Sequence, residues 1–155
     1  MEITIRDIKA FLLAPERQNL VVVRVDTSEP ELFGYGCATL SYRAFAIAEV
    51  IERNLRPLLI GRDVSRIEDL WKLMMINSYW RNGPVLNNAV SGIDMALWDI
   101  KAKQAGVPLY QLLGGKCRDR VNIYRHCNAS STEEVLELAH QAVESGCTYI
   151  RAAYT

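Results

Sequence analysis

The sequence predicts an α+β unit followed by the opening of an α/β unit, and three observations carry that expectation. The first forty residues alternate apolar and polar positions with the period of a strand. From Tyr42 to Gly115 the apolar spacing lengthens to that of a helix. After Arg120 the order becomes strand, helix, strand within about 35 residues, the length of one βαβ unit.

The strands come first. "ITIRDIKAFLL", "LVVVRVDT" and "FGYGCATL" are rich in Ile, Val, Thr and aromatic residues, which suit a pleated, half-buried surface. The breaks "APERQN" and "SEPEL" carry the Pro, Asn and Ser of turns and are too short for a crossover, so a three-stranded antiparallel meander is expected. Gly34 and Gly36 lack the spacing of a phosphate loop and are expected to permit a sharp chain path before the first helix.

That helix places Ala44, Ile47, Ala48, Ile51 and Leu55 on one face and is expected to end at Pro57. A second should open with a capping box of Ser65 and Glu68 and bury Ile67, Leu70, Trp71 and Met74. The longest begins at Pro84 after "YWRNGP". It carries Ala89, Val90, Ile93, Ala96, Leu97 and Ile100 on one stripe and stops at Gly106, with Pro108 behind. "PLYQLL" adds a short helical turn before Gly114 and Gly115.

"RVNIYRH" then reads as a strand, "SSTEEVLELAHQAVESG" as a helix with capping-box pairs at its start, and "CTYIRAAY" as a second strand, parallel to the first. Parallel sheets are normally covered on both faces and have more than two strands, so the rest of this sheet is expected outside the 155 residues. The expected division is residues 1–116 and 117–155.

Composition narrows the function. Eighteen basic residues balance eighteen acidic ones, which gives no reason to expect a nucleic-acid or membrane-surface partner. No apolar run approaches the ~20 residues of a membrane span, and "MEITIRDIKAF" has charges where a signal peptide would have an apolar core. A cytoplasmic protein is expected, with Cys37, Cys117, Cys127 and Cys147 as reduced, mostly buried thiols.

His126 and Arg151 fall near the carboxyl ends of the two parallel strands, the edge at which α/β folds bind ligands. His126 and Cys127 adjoin on a strand and so face opposite ways, which excludes a paired nucleophile. Asp94 and Asp99 are expected on different faces of their helix, as salt-bridged or solvated groups, and His140 on a solvated face.

Residues 89–115, "AVSGIDMALWDIKAKQAGVPLYQLLGG", resemble the signature that closes the capping domain in the mandelate racemase and muconate lactonizing branch of the enolase superfamily. "LIGRDVSRIEDLW", "YWRNGPV" and "CATL" narrow the resemblance to the mannonate dehydratase group, which includes starvation-sensing proteins. The resemblance implies an α+β capping domain followed by the first βαβ of a (β/α)8 TIM-type barrel. Such a barrel takes roughly 250 residues, so it is incomplete here and the 155 residues are expected to be inactive by themselves.

The implied activity is Mg-dependent dehydration of a sugar acid. A base removes the proton alpha to the carboxylate, a Mg²⁺ held by three barrel carboxylates stabilises the enediolate, and a beta-hydroxyl leaves as water. Those metal carboxylates are expected beyond residue 155, with none in this chain. The resemblance also implies a homo-oligomer in which loops near "YWRNGP" approach a neighbour. Arg151, in "IRAA", matches an arginine paired with a tyrosine base from the loop that follows, where a guanidinium favours the phenolate. His126 matches a histidine that hydrogen-bonds a sugar hydroxyl. Ser41, in "GCATLSYRA", stands where the group resembles "GDATLNGRE" and an asparagine touches substrate; Tyr42 replaces a glycine, and Arg125 a small residue beside His126. A shorter donor beside a bulkier neighbour argues against mannonate itself. The same loop motivates an alternative, a regulatory homologue with little or no dehydratase activity, or a capping fragment with none of its own.

Overall fold

The computed structural model describes residues 2–15 and 18–154. The chain divides into two compact units, Met1–Gly115 and Lys116–Thr155.

In the first unit, β1 (Ile5–Leu13), β2 (Leu20–Thr27) and β3 (Phe33–Cys37) form one sheet in that order, with both pairings antiparallel. Val21, Val23 and Val25 alternate along β2 and are fully buried, so one face of the sheet is the floor of the core. The helices cover that face.

α1 (Ala44–Glu49) runs without a break into a π-helical segment, Val50–Leu55, and then into α2 (Arg56–Leu59). Pro57 therefore does not end the helix but lies in the first turn of α2. The reason is the wider turn before it: the Arg56 N–H reaches back five residues to the Ile51 carbonyl. In an α-turn the proline ring would collide with the carbonyl four residues back; the π-turn moves that carbonyl aside, and Pro57 has no N–H to leave unpaired. Ile47, Ile51, Leu55 and Leu59, spaced four apart, are all buried by this route.

α3 (Ile67–Ile76) begins without the expected capping box. The Ser65 N–H and hydroxyl both donate to the Asp63 carboxylate, each at 2.8 Å, so the serine is occupied by a turn that Asp63 closes two residues upstream. Ile67, Leu70 and Met74 are buried, but Trp71 is 43% exposed and lies at the margin of the buried stripe.

α4 (Pro84–Ala105) is the spine of the unit and ends at Gly106 in the left-handed conformation. Its expected stripe, from Ala89 to Ile100, is buried against the sheet. Gly34 and Gly36 have a different purpose from the one expected, since neither has a positive φ. A Cβ at Gly34 would stand 2.0 Å from the Ala96 carbonyl oxygen, and one at Gly36 would stand 1.9 Å from that of Gly92. Their missing side chains let the β3 and α4 backbones touch. Polar contacts reinforce the seam: the Tyr35 N–H donates to Asp99 at 2.9 Å, and Lys103 donates to Asp99 at 2.8 Å and to the Phe33 carbonyl at 2.7 Å. Asp99 thus ties helix to strand. α5 (Leu109–Leu112) closes the unit.

The second unit contains β4 (Tyr124–Ala129), α6 (Thr132–Glu144) and β5 (Tyr149–Tyr154), with the strands parallel. β4 starts later and runs further than the sequence suggests, because pairing begins where Tyr124 meets Tyr149 and residues 120–123 have no counterpart. Ser131 caps α6 by accepting from the Glu134 N–H at 3.2 Å, and Gly146, at φ +87°, ends it. Cys127 and Ala142 are the buried apolar side chains of this unit among the described residues. The expectation of mostly buried thiols is therefore corrected. Cys127 alone is buried, Cys147 is half-buried, and Cys37 and Cys117 are exposed, one at the end of an edge strand and one in a connection. Among the described residues, no helix is long and apolar enough to cross a membrane.

Candidate functional site

The parallel pairing of β4 and β5 sets His126 directly beside Arg151. Register partners in a sheet share a face, and neighbouring strands lie about 4.8 Å apart, so the imidazole and the guanidinium rise from adjacent points. The other face holds Arg125, Cys127 and Ile150 and meets α6: Cys127 is buried, and the Arg125 guanidinium donates to Ser145 Oγ at 3.4 Å. His126 and Cys127 thus point opposite ways. The ring of Tyr124 lies 5.1 Å from the His126 imidazole, tilted by 44°. Both His126 and Arg151 are exposed.

Pairing continues for three residues past both, to Ala129 and Tyr154, so β4 runs beyond His126, where the sequence suggested its end, while Arg151 lies near the end of β5 as expected. Chemically, the pair offers a permanent cation and a neutral or cationic imidazole side by side. Together they suit a carboxylate with neighbouring hydroxyls.

Ser41 belongs to the first unit, at the tip of the connection between β3 and α1. The base of that connection is fixed to β2: the Ala38 N–H donates to the Val21 carbonyl at 2.9 Å, and Thr39 Oγ1 accepts from the Val21 N–H at 3.0 Å. The tip is a tight turn, closed by the Arg43 N–H on the Leu40 carbonyl at 3.2 Å. Ser41 is exposed, which leaves its hydroxyl open to a ligand. Tyr42, beside it, has φ +65° and is 94% exposed, and Phe45 is 73% exposed. "LSYR" contains no glycine or asparagine to mark the turn, and the signal lay in the resemblance, where a glycine stands at the position of Tyr42.

Asp94, on α4, is half-buried, and its carboxyl pKa is raised, first by burial and then by the nearby charge of Glu68. Asp94 and Asp99 do not act together. Among the described residues, no group of three or more His, Cys, Asp or Glu side chains is placed to hold a metal ion.

Comparison with known proteins places these features. Residues 3–114 match the family described as mandelate racemase / muconate lactonizing enzyme, N-terminal domain. A D-galactonate dehydratase family member of Enterocloster bolteae is 59% identical over 149 residues, which is 96% of this chain and 37% of that protein. The D-galactonate dehydratase family member RspA of Pantoea ananatis is 52% identical over 147 residues, 95% of this chain and 35% of that protein. Among solved structures, an enolase from Pantoea ananatis with bound D-gluconate and Mg superposes with a TM-score of 0.92 at 51% identity, covering 98% of this chain and 37% of that one. The chain thus spans little more than a third of the length of the relatives it matches.

Proposed function

The chain belongs to the mandelate racemase / muconate lactonizing enzyme family of the enolase superfamily, and on that premise we propose that it is the amino-terminal part of a Mg-dependent sugar-acid dehydratase. In this reading residues 1–116 are the capping domain and residues 117–155 begin the (β/α)8 barrel. The juxtaposition of His126 with Arg151 on the open face of β4 and β5 is the observation that carries it.

The substrate class is an aldonate, a carboxylate flanked by alpha- and beta-hydroxyls. The C2–H bond breaks to a base, the electron pair is held as an enediolate, and the C3–O bond then breaks as water leaves, giving a 2-keto-3-deoxy acid after tautomerisation. A divalent cation supplies the charge that makes the C2 proton removable. As the resemblance implies, the ligands of that ion are proposed to come from later strands of the barrel, beyond residue 155. Arg151 holds a negative charge close to the reacting centre and favours the ionised form of a phenolic base from the loop that follows. His126 and Ser41 each hydrogen-bond a substrate hydroxyl. Mannonate is the finer reading within this class, and the names of the relatives point instead to galactonate and gluconate. We further assign the whole protein to the cytoplasm as a homo-oligomer.

The experiment is a screen of full-length protein with Mg²⁺ against D-gluconate, D-galactonate and D-mannonate, scored for the 2-keto-3-deoxy product. At least one acid is expected to lose water, and Arg151→Met should abolish that activity while His126→Ala raises KM. Binding of an aldonate by wild type with no turnover of any acid would favour the alternative, a regulatory homologue, for which the substituted "LSYR" loop is the motivating feature.

A further inference from the structure

On the open face of β4 and β5 the side chains fall in layers two residues apart. Tyr124 stands across the ladder from Tyr149 and His126 across from Arg151, so an aromatic layer lies directly behind the polar pair. Positions two apart on a strand are separated by about 6.6 Å along the chain. The ring centroids of Tyr124 and His126 are only 5.1 Å apart, with the planes tilted by 44°. The two rings therefore lean toward each other. A packed core does not force them together: Tyr124 is 55% exposed, and the buried apolar side chains of this unit among the described residues, Cys127 and Ala142, lie on the other face and on α6. Nor does a hydrogen bond hold the imidazole, for His126 makes none among the described residues. Arg151 beside it carries only donors and cannot accept from a ring N–H. Within the described residues the phenol ring is what restrains the imidazole.

We propose that Tyr124 is a positioning residue, whose ring holds the His126 imidazole in the orientation from which it hydrogen-bonds a hydroxyl of the sugar acid. The inference rests on the sugar-acid reading given above. The torsion that turns an imidazole about its bond to Cβ is broad, so an unsupported ring sweeps its nitrogens over a wide arc. A ring free in this way must be ordered when substrate binds, at a cost in affinity. A phenol against one side of it does that ordering beforehand. The contact is between rings; the Tyr124 hydroxyl, which makes no hydrogen bond among the described residues, takes no part in it.

The test uses full-length protein with Tyr124→Phe, which keeps the ring, and Tyr124→Leu, which keeps the apolar bulk without it and so spares the fold the cavity an alanine would leave. With an acid that wild type dehydrates, the leucine variant should raise KM about fivefold, the scale of ordering one side chain, with kcat within about twofold. The phenylalanine variant should bring KM back to within about twofold of wild type. In a His126→Ala background Tyr124→Leu should raise KM no further, because a positioning residue acts only through the group it positions. An equal rise in both backgrounds would make Tyr124 a structural residue and overturn the assignment. So would an unchanged KM in the leucine variant, or a phenylalanine variant as impaired as the leucine one. A readout without substrate separates this inference from the reading beneath it. By proton NMR, the carbon-bound proton lines of His126, identified by their loss in His126→Ala, should shift in Tyr124→Leu, which removes the ring current, and hold in Tyr124→Phe. Lines unmoved in the leucine variant would overturn the ring contact itself. The expected shift, with no acid bound or dehydrated by wild type, would instead sink the sugar-acid reading and this inference with it.

Discussion

Gly36 is explained less by freedom to turn than by the helix that stands in front of it. With the Gly92 carbonyl oxygen 1.9 Å from where a Cβ would be, Gly36→Ala must push β3 and α4 apart, and we expect a loss of about 3 kcal/mol or more in urea unfolding. Gly61→Ala, where nothing lies within 4 Å but φ is +81°, should cost about 1 kcal/mol from backbone strain alone. Equal costs at the two positions would contradict this account of the seam. Asp94 gives a prediction in pH. Burial, then the Glu68 charge, raises its pKa in the folded state above the ordinary 3.8, so the folded chain holds this proton to higher pH than the unfolded chain does. The resulting stabilisation is full below the ordinary value and is lost as pH rises through the raised one. Asp94→Asn should therefore melt higher than wild type at pH 7, with the difference shrinking toward pH 4; a lower melting temperature at pH 7 would be the contrary result. The sequence marked Gly34 and Gly36 as significant but supplied the wrong reason, since the backbone they approach lies some sixty residues away in the chain. It likewise marked Tyr42 as standing where a glycine is found in the resembled group, but not as a residue in the left-handed conformation.

At the scale of elements, the same capping-box spelling occurs before α3 and before α6 and behaves differently in the two places. Ser131 caps its helix, whereas Ser65 is taken by Asp63. Ser131→Ala should thus cost about 1 kcal/mol, and Ser65→Ala about 0.5 kcal/mol or less, by chemical denaturation of the unit concerned. A reversal of that order would restore the capping box at α3. Element types were legible throughout because hydrophobic period survives any tertiary context, while ends were not, because they depend on local competition for backbone donors. Pro57 shows the same limit: its ring forbids an α-turn, and the chain answers with a π-turn where the sequence suggested a stop.

At the scale of the whole molecule, the two units differ in how much they bury. The first closes a core around β2 and α4, while the second buries Cys127 and Ala142 among its described apolar side chains and leaves Leu136, Val143 and Tyr149 more than half exposed. In the 155-residue chain, amide hydrogen exchange should be slow at Val21, Val23 and Val25 and faster by orders of magnitude along β4 and β5. Equal protection in the two sheets would show that the second unit is stable without further covering. The order strand, helix, strand after Arg120 was legible in the sequence, but which side chains become neighbours was not, because register is set by pairing across a helix. That register has a consequence for what the gene can tolerate. The link through α6 may change letter by letter, provided its apolar stripe and cap survive, and His126 will still meet Arg151. Gain or loss of a single residue that slid β5 by one step would turn Arg151 toward α6 and bring Ile150 or Ala152 beside the histidine. The pair is therefore robust to substitution and brittle to insertion and deletion, so natural variants of this segment should differ in spelling and agree in length.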